Sequence, residues 1–544
     1  MELDARGLVI RDAPRLIPNG PRDVVDLFAR AVAARPAHLA LVGRHRRFTF
    51  AQLANEVNAA IAALESLGIE RGDRVAASLA NQPELVIAFV AAMHIGAIWV
   101  GINTALAPPE KRHMLLDSGA NLFITSPEIA ATMIDAPTAL RTIDPSGSVG
   151  SWVACTDGVR DASSRPVLAP IDPHEPAAIA YTSGTTGFPK GAVHSQHNML
   201  WPGADAREND PGDPSERHGV LLPLTLLNLM VLGPLFAWQT GTTCICVDRT
   251  DPLGVRDWIR DEGITRMTFA PTMVHDLLHH PEVRVGDLVT LRRPECGGSS
   301  TPRALRDLFR ERFGVRLLTG YGLTEAPTAV TRERADDAAT PGCSGPPFAP
   351  IELVIVDEWG RELAPGETGE ICVRSPRSGP WADVYTPFLG YWNQPDATAQ
   401  ALRGAMLHTG DLGMLDGDGR LFVHDRMTDV IIRGGANVYP AEVERVLLDH
   451  RGVVACSVLS ITDERLGERV AAVIQRHTDT DTDIATLEAY CRERLARYKV
   501  PDRWAFVDSF RRTPMGKIAK APLRSLFSAT DRTESPWRSS PGDR

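Results

Sequence analysis

Between residues 49 and 125 the sequence alternates between helical and strand patterns, and this constrains the fold more than any other feature. Thr49-Phe50-Ala51-Gln52 is a capping box, in which two side chains satisfy free N–H groups at a helix start. Leu53, Val57, Ile61 and Leu64 follow at helical spacing, and Gly68 closes the helix. A strand at 74–79, a helix from Pro83, a strand near 97–102, a helix from Pro109 and a strand at 122–125 come next. Such βαβ alternation predicts an α/β fold with a mostly parallel sheet covered by helices. Around 351–424 the texture changes to short strands, at 351–356, 369–374, 412–415 and 421–424, separated by DEWG, APGE and DGDG turns. These predict a small antiparallel, barrel-like part. From about 430 to 527 a compact α+β pattern follows, in which Pro440 opens a helix with Val443, Val446 and Leu447 on one face. The last stretch, 528–544, is polar and Pro/Ser-rich, the composition of a disordered tail. At 544 residues the chain has room for more than one folded unit.

Charge narrows the choice of partners. A formal charge of −10 gives no basic excess for a phosphate backbone or an anionic membrane, so neither nucleic acid nor a membrane surface is an expected partner. The uncharged stretches 85–102 and 219–247 are broken by His94, Asn228, Gln239 and prolines, so no transmembrane span is expected. Eight scattered cysteines and an N-terminus without the apolar core of a signal peptide point to reduced thiols in the cytoplasm. Cys244 and Cys246, two apart in a strand-like run, share a face and read as core packing rather than as a metal site. Only five of the 58 basic residues are lysines, at 111, 190, 499, 517 and 520, so each invites a specific reason.

The strongest local signal is Tyr181-Thr-Ser-Gly-Thr-Thr-Gly-Phe-Pro-Lys190-Gly191, entered from the apolar run 177–181. Small hydroxyl side chains, glycines that let N–H groups approach an anion, and a lysine make a phosphate cradle. It is not a Walker A loop, because Pro189 and Gly191 stand where that motif needs Gly and Ser/Thr. Downstream lie Thr319-Gly-Tyr-Gly-Leu-Thr-Glu325, Leu407-His-Thr-Gly-Asp411, the run from Asp425 to Glu442, and Arg512-Thr-Pro-Met-Gly-Lys517-Ile. Singly, each has a bland reading as a turn, a core aromatic or a solvated charge.

In this order and spacing they resemble the AMP-binding superfamily of adenylate-forming enzymes, over roughly residues 20–525. Gly390-Tyr-Trp-Asn-Gln-Pro-Asp-Ala-Thr398 looks most like the acyl-CoA synthetase branch. The resemblance implies a large domain at 1–425 holding the ATP and acyl sites, a hinge at 426–429 pivoting on Thr428, and a small mobile domain at 430–527. The implied reaction converts a carboxylic acid and ATP to an acyl adenylate and pyrophosphate, then passes the acyl group to coenzyme A. Thr182, Ser183, Gly184, Thr185, Thr186, Gly187 and Lys190 would hold the β,γ-phosphates, and Glu325 would ligate Mg²⁺. Thr324 would meet the α-phosphate. Tyr321, flanked by Gly320 and Gly322, would lie against adenine, with Gly298, Ser299 and Ser300 at its edge. Asp411 would take the ribose hydroxyls, assisted by Arg426. Lys517 would reach in from the small domain for adenylation, and Gly434 and Gly435 would later line the coenzyme A tunnel. The catalytic group is thus Lys517, Thr324, Glu325 and Lys190, in an enzyme that could assemble as a homodimer.

The pattern departs from the family at three places. Leu226 and its neighbours replace an aromatic and a His, Asp425 and Thr428 replace a Gly and an Asp or Lys, and Ala436 replaces a Glu. The acyl pocket implied is Leu226, Leu227, Asn228, Leu229, Met273, Gly298, Pro327 and Val330, which carry no charge. That favours a monocarboxylic acid with an apolar body, medium-chain, alicyclic or aromatic, since an unpaired buried charge is costly. Competing readings are transfer to a carrier-protein phosphopantetheine, an amino-acid-activating domain, a luciferase-like oxygenase and, from another class, a non-catalytic nucleotide-binding homologue.

Overall fold

The computed structural model describes residues 2–10, 15–133, 141–144, 170–182, 189–209, 213–297, 301–334, 340–433, 436–463, 465–477, 482–512 and 518–527. The expected alternation becomes two large, mostly parallel sheets. One has seven strands, in the order Gly390–Tyr391, Lys190–Ser195, Pro176–Thr182, Ile98–Gly101, Arg74–Ser78, Leu122–Thr125 and Arg141–Ile143. The other has eight: Thr331–Arg332, Leu318–Tyr321, Arg293–Cys296, Arg266–Phe269, Arg217–Val220, Thr243–Cys246, Leu39–Val42 and Arg47–Thr49. Their central pairings are parallel, and antiparallel strands close every edge but that of Arg141–Ile143, which pairs in parallel.

The two-residue period of a strand decides which layer each side chain joins. Cys244 and Cys246 enter the core between the two sheets, while Ile245 turns to the opposite face and the helices there. Both thiols are fully buried and unbridged, and the other five described cysteines are buried and unbridged as well. Val75 and Ala77 likewise face the shared core, and Ala76 faces the helix Pro108–Ser118. Between the sheets runs Pro83–Ile95, in which only His94 escapes burial. A helix apolar on every side must be covered on every side, and this one is. Pro83 starts it and Gly96, at φ +78°, ends it. The Thr49 capping box also forms, with Gln52 N–H on the Thr49 hydroxyl at 3.3 Å.

The hairpin region is an antiparallel five-stranded sheet of Glu352–Val356, Gly369–Arg374, Met406–Leu415, Leu402–Arg403 and Leu421–Arg426. Met406–Leu415 runs longer than the strand expected at 412–415. Pairing with Gly369–Arg374 overrides the weak strand propensity of His-Thr-Gly-Asp. A fourth sheet, built from Ala436–Val438, Ile431–Arg433, Gly467–Arg476, Val453–Asp463 and Arg503–Val507, packs with the helices Pro440–Leu448 and Ile484–Arg492. Its two core clusters draw only on residues from 431 onward. The stretch 219–247 becomes short helical turns between two strands, and no described helix is long and apolar enough to cross a membrane.

Candidate active site

Three of the structural units converge on the motif residues. The strands Pro176–Thr182 and Lys190–Ser195 pair antiparallel, with Lys190 opposite Thr182, so the two ends of the glycine- and threonine-rich motif stand side by side. Ser183, Gly184, Thr185, Thr186 and Gly187 lie outside the described residues. At the base of the loop Lys190 Nζ stands 5.2 Å from the centre of the Tyr391 ring, a cation held over an aromatic face.

Tyr391 connects this base to the second motif. Its hydroxyl donates to Glu325 Oε1 at 2.8 Å, and the Glu325 carbonyl accepts the Phe388 N–H at 2.8 Å. Burial, reinforced by Glu325, pushes the Tyr391 phenol well above its usual range, so it remains a donor. Thr324 and Glu325 are partly exposed. Beside them His194, fully buried, is held neutral by desolvation, its pKa depressed to about 3. The loop after Leu318–Tyr321 folds back on itself so tightly that a Cβ at Gly322 would lie 2.0 Å from the Thr328 carbonyl oxygen. Only glycine fits there.

The third motif supplies a second tyrosine–carboxylate couple. Tyr321 donates to Asp411 Oδ2 at 2.6 Å, and Arg426 Nε stands 3.4 Å from Asp411 Oδ1. Asp411 and Arg426 are cross-strand neighbours in register, which explains their meeting across a gap in sequence. Burial, and then Asp411, keep the Tyr321 phenol protonated. Gly410, at φ +71°, makes the turn into Asp411. Glu370 fixes that turn, accepting the Gly410 N–H at 3.1 Å and lying 2.8 Å from His408 Nδ1. Burial alone would raise the Glu370 carboxyl, but the contact with His408 holds it below its usual range.

The motif reading therefore brings together Lys190, Tyr321, Thr324, Glu325, Asp411 and Arg426. It missed Tyr391, Glu370 and His408. Tyr391 lies in the run Gly390–Thr398, which served only to indicate a branch, and Glu370 lies in a turn-rich stretch with no motif of its own. Gly298, Ser299, Ser300, Gly434, Gly435, Lys517 and the Thr428 side chain are outside the described residues.

The residues of the expected acyl wall divide by burial. Leu227 and Leu229 are 5% and 8% exposed and pack in the core between the sheets, and Val330 is fully buried in the core of the hairpin region. Pro327 is buried as well. Leucines two apart in the short helix Leu227–Met230 looked like wall, but the segment is clamped inward. Asn81 accepts the Leu224 N–H at 2.8 Å and donates to the Leu222 carbonyl at 3.0 Å. Leu226, Asn228 and Met273 keep partly exposed surface.

Of the five lysines, Lys111 caps the Thr104 and Leu106 carbonyls, Lys499 grips both oxygens of Glu442, and Lys520 pairs with Asp429.

Known proteins match this arrangement along nearly its whole length. The profile of the AMP-binding enzyme family matches residues 28–392, and that of the AMP-binding enzyme C-terminal domain matches 442–517. A feruloyl-CoA synthase from Amycolatopsis sp is 34% identical over 480 residues, 88% of this chain and 94% of the relative. A fatty acid–[acyl-carrier-protein] ligase, ScoC, from Streptomyces coeruleorubidus is 34% identical over 504 residues, 90% of this chain and 94% of its own. The solved anthranilate CoA ligase AuaEII, in complex with anthranoyl-AMP, superposes with a TM-score of 0.82 at 28% identity, covering 93% of this chain and 97% of that one. The chain belongs to the AMP-binding family of adenylate-forming enzymes, in its acyl-CoA synthetase branch, and is an AMP-forming acid–CoA ligase.

Proposed function

We propose that the acid is a monocarboxylate with an apolar body, medium-chain, alicyclic or aromatic, and that residues 1–425 and 430–527 act as two domains hinged at 426–429. In the first step a carboxylate oxygen attacks the α-phosphorus of ATP and the bond to pyrophosphate breaks, leaving an acyl adenylate. In the second the thiol sulfur of coenzyme A attacks the acyl carbon, the bond to AMP breaks, and the thiol proton goes to solvent.

The observation that carries the reading is the pair of tyrosine–carboxylate couples, Tyr321–Asp411 and Tyr391–Glu325, at the meeting of three sheets. Asp411, with Arg426 beside it, takes the ribose hydroxyls, and the Tyr321 ring covers adenine. Lys190 and the loop 182–187 hold the β,γ-phosphates. Thr324 donates to the α-phosphate, where charge builds as pyrophosphate leaves. The Glu325 carboxylate, oriented by Tyr391, is a hard oxygen donor of the kind that binds Mg²⁺ together with substrate phosphates. Mg²⁺ bound there supplies charge neutralisation on those phosphates. Lys517 enters from the second domain for adenylation and withdraws for thioester formation, when the loop of Gly434 and Gly435 takes its place.

The substrate class rests on the wall that Leu226, Asn228 and Met273 leave exposed, which has no charge to pair an ammonium or a second carboxylate. The relatives named for feruloyl and anthranoyl groups handle acids of the same broad kind. The test is pyrophosphate release with hexanoate, octanoate, cyclohexanecarboxylate, benzoate, a dicarboxylate and an amino acid, with and without coenzyme A. Release with the first four, accelerated by coenzyme A, is expected. A preference for either of the last two would overturn the reading. A carrier-protein acceptor is favoured by one observation, the similarity to ScoC. It predicts transfer to a phosphopantetheinylated carrier that outpaces transfer to coenzyme A.

A further inference from the structure

The helix Pro440–Leu448 begins without a cap of its own, because Tyr439 stands at the cap position and makes no side-chain hydrogen bond. The acceptor comes from the other side of the junction. Asp425, on the strand Leu421–Arg426, receives the Ala441 N–H on Oδ2 at 2.7 Å and the Arg426 N–H on Oδ1 at 2.8 Å. A carboxylate at this point satisfies a free donor of the first helical turn and meets the positive end of the helix dipole. Beyond it Lys520 donates to Asp429 Oδ2 at 3.0 Å and stands 3.8 Å from Glu444 Oε1. Glu444 Oε1 also accepts the Val458 N–H at 2.8 Å. Three carboxylates thus gather around one ammonium, from the strand end, the turn Met427–Asp429 and the helix.

A pivot at Thr428 divides this cluster unequally. Asp429, Ala441, Glu444 and Lys520 all follow the pivot and keep their mutual contacts when the second domain turns. Asp425 precedes it, so its bond to Ala441 is the one that rotation breaks. We infer that Asp425 is a positioning residue that caps Pro440–Leu448 across the pivot, holds the domain arrangement seen here, and so sets the balance between acyl-adenylate formation and thioester formation. The inference rests on the two-domain reading above.

The experiment compares the full-length enzyme with Asp425→Gly and with Asp425→Asn, which keeps an acceptor oxygen. Pyrophosphate exchange into ATP and thioester formation from presynthesised acyl adenylate are measured separately, with benzoate or octanoate, whichever the wild type prefers. The ratio of the two rates should shift about fivefold in Asp425→Gly, the effect of losing a helix cap, with one rate rising as the other falls. Asp425→Asn should lie between. An unchanged ratio, or equal losses in both steps, overturns the latch. Hydrogen exchange gives a readout that needs no turnover. The Ala441 amide should exchange about fivefold faster in Asp425→Gly, while amides in the strands 453–476 stay protected. Unchanged exchange at Ala441 overturns the latch even if the wild type activates none of these acids, an outcome that would separately overturn the substrate reading.

Discussion

The layered half of the molecule and the junction at 425–444 both bury titratable groups, in opposite ways. In the layers three of these are histidines. His194, His197 and His218 sit in tight packing and are held neutral by desolvation, with pKa values depressed to about 3, 4 and 3. At the junction they are carboxylates. Burial pushes Asp425 and Glu444 upward, while Lys520 and backbone N–H groups pull them back. A neutral ring needs no counter-charge to remain buried. A buried charge needs its partner, and when that partner lies across a pivot the contact can be exchanged. On the two-domain reading proposed above, one region holds shape and the other chooses between shapes.

If that contrast is right, damage to the layers should cost stability without changing the balance of the two half-reactions. Phe89, fully buried and set edge-on to Trp99 at 5.6 Å, is the sharpest site. Phe89→Ala should lose about 3–5 kcal/mol in urea unfolding, with the ratio of adenylation to thioester formation in the surviving folded enzyme unchanged. A shifted ratio would break the comparison. In the proposed second domain, Lys517→Ala should lower adenylation by roughly 10²–10³-fold, as for removal of a key charge donor. It should do far less to thioester formation from presynthesised acyl adenylate and leave the melting temperature unchanged. Thr428→Pro fixes φ near −65° at the pivot and should spare adenylation while stopping thioester formation. Coenzyme A transfer at the wild-type rate would move the pivot elsewhere.

Acid gives the smallest effect per group and the one with opposite signs. A histidine whose folded pKa lies below its unfolded value contributes stability that is complete above about pH 6.5. It loses that contribution as the pH falls toward 3–4. Each of the three should cost about 1 kcal/mol between pH 7 and 5.5. A carboxylate with a raised folded pKa does the reverse, contributing most below its unfolded pKa and losing that as the pH rises through the folded value. Hydrogen exchange read region by region should therefore show the layers loosening on acidification while the Pro440–Leu448 helix does not. Loss of protection in both together would break the comparison from the other side.

What the sequence reveals follows the same division. The capping box at Thr49, the buried helix from Pro83 and the facing cysteines were legible because each depends on neighbours within one element. Tyr321, Glu325, Asp411 and Arg426 were legible as a motif set, although nothing local says that Tyr321 and Asp411, 90 residues apart, share a hydrogen bond. The burial of Leu227 and Leu229 was not legible, because a four-residue helix has no period long enough to separate wall from core. Asp425 was visible as a departure from the family's glycine. Its role as a cap was not, since that depends on where a helix 15 residues later comes to rest.

The scarcity of lysine has a chemical consequence of its own. An acyl adenylate is a mixed anhydride that acylates any free amine it meets. Arginine stays protonated at working pH and is no nucleophile, and arginine supplies all but five of this chain's cationic side chains. Lys499 and Lys520 are tied down by carboxylates, and Lys111 is sunk against backbone carbonyls. Apart from Lys190 and Lys517, which serve the reaction itself, an enzyme that generates an acylating agent in its own interior thus offers it little to attack, and the described thiols are buried.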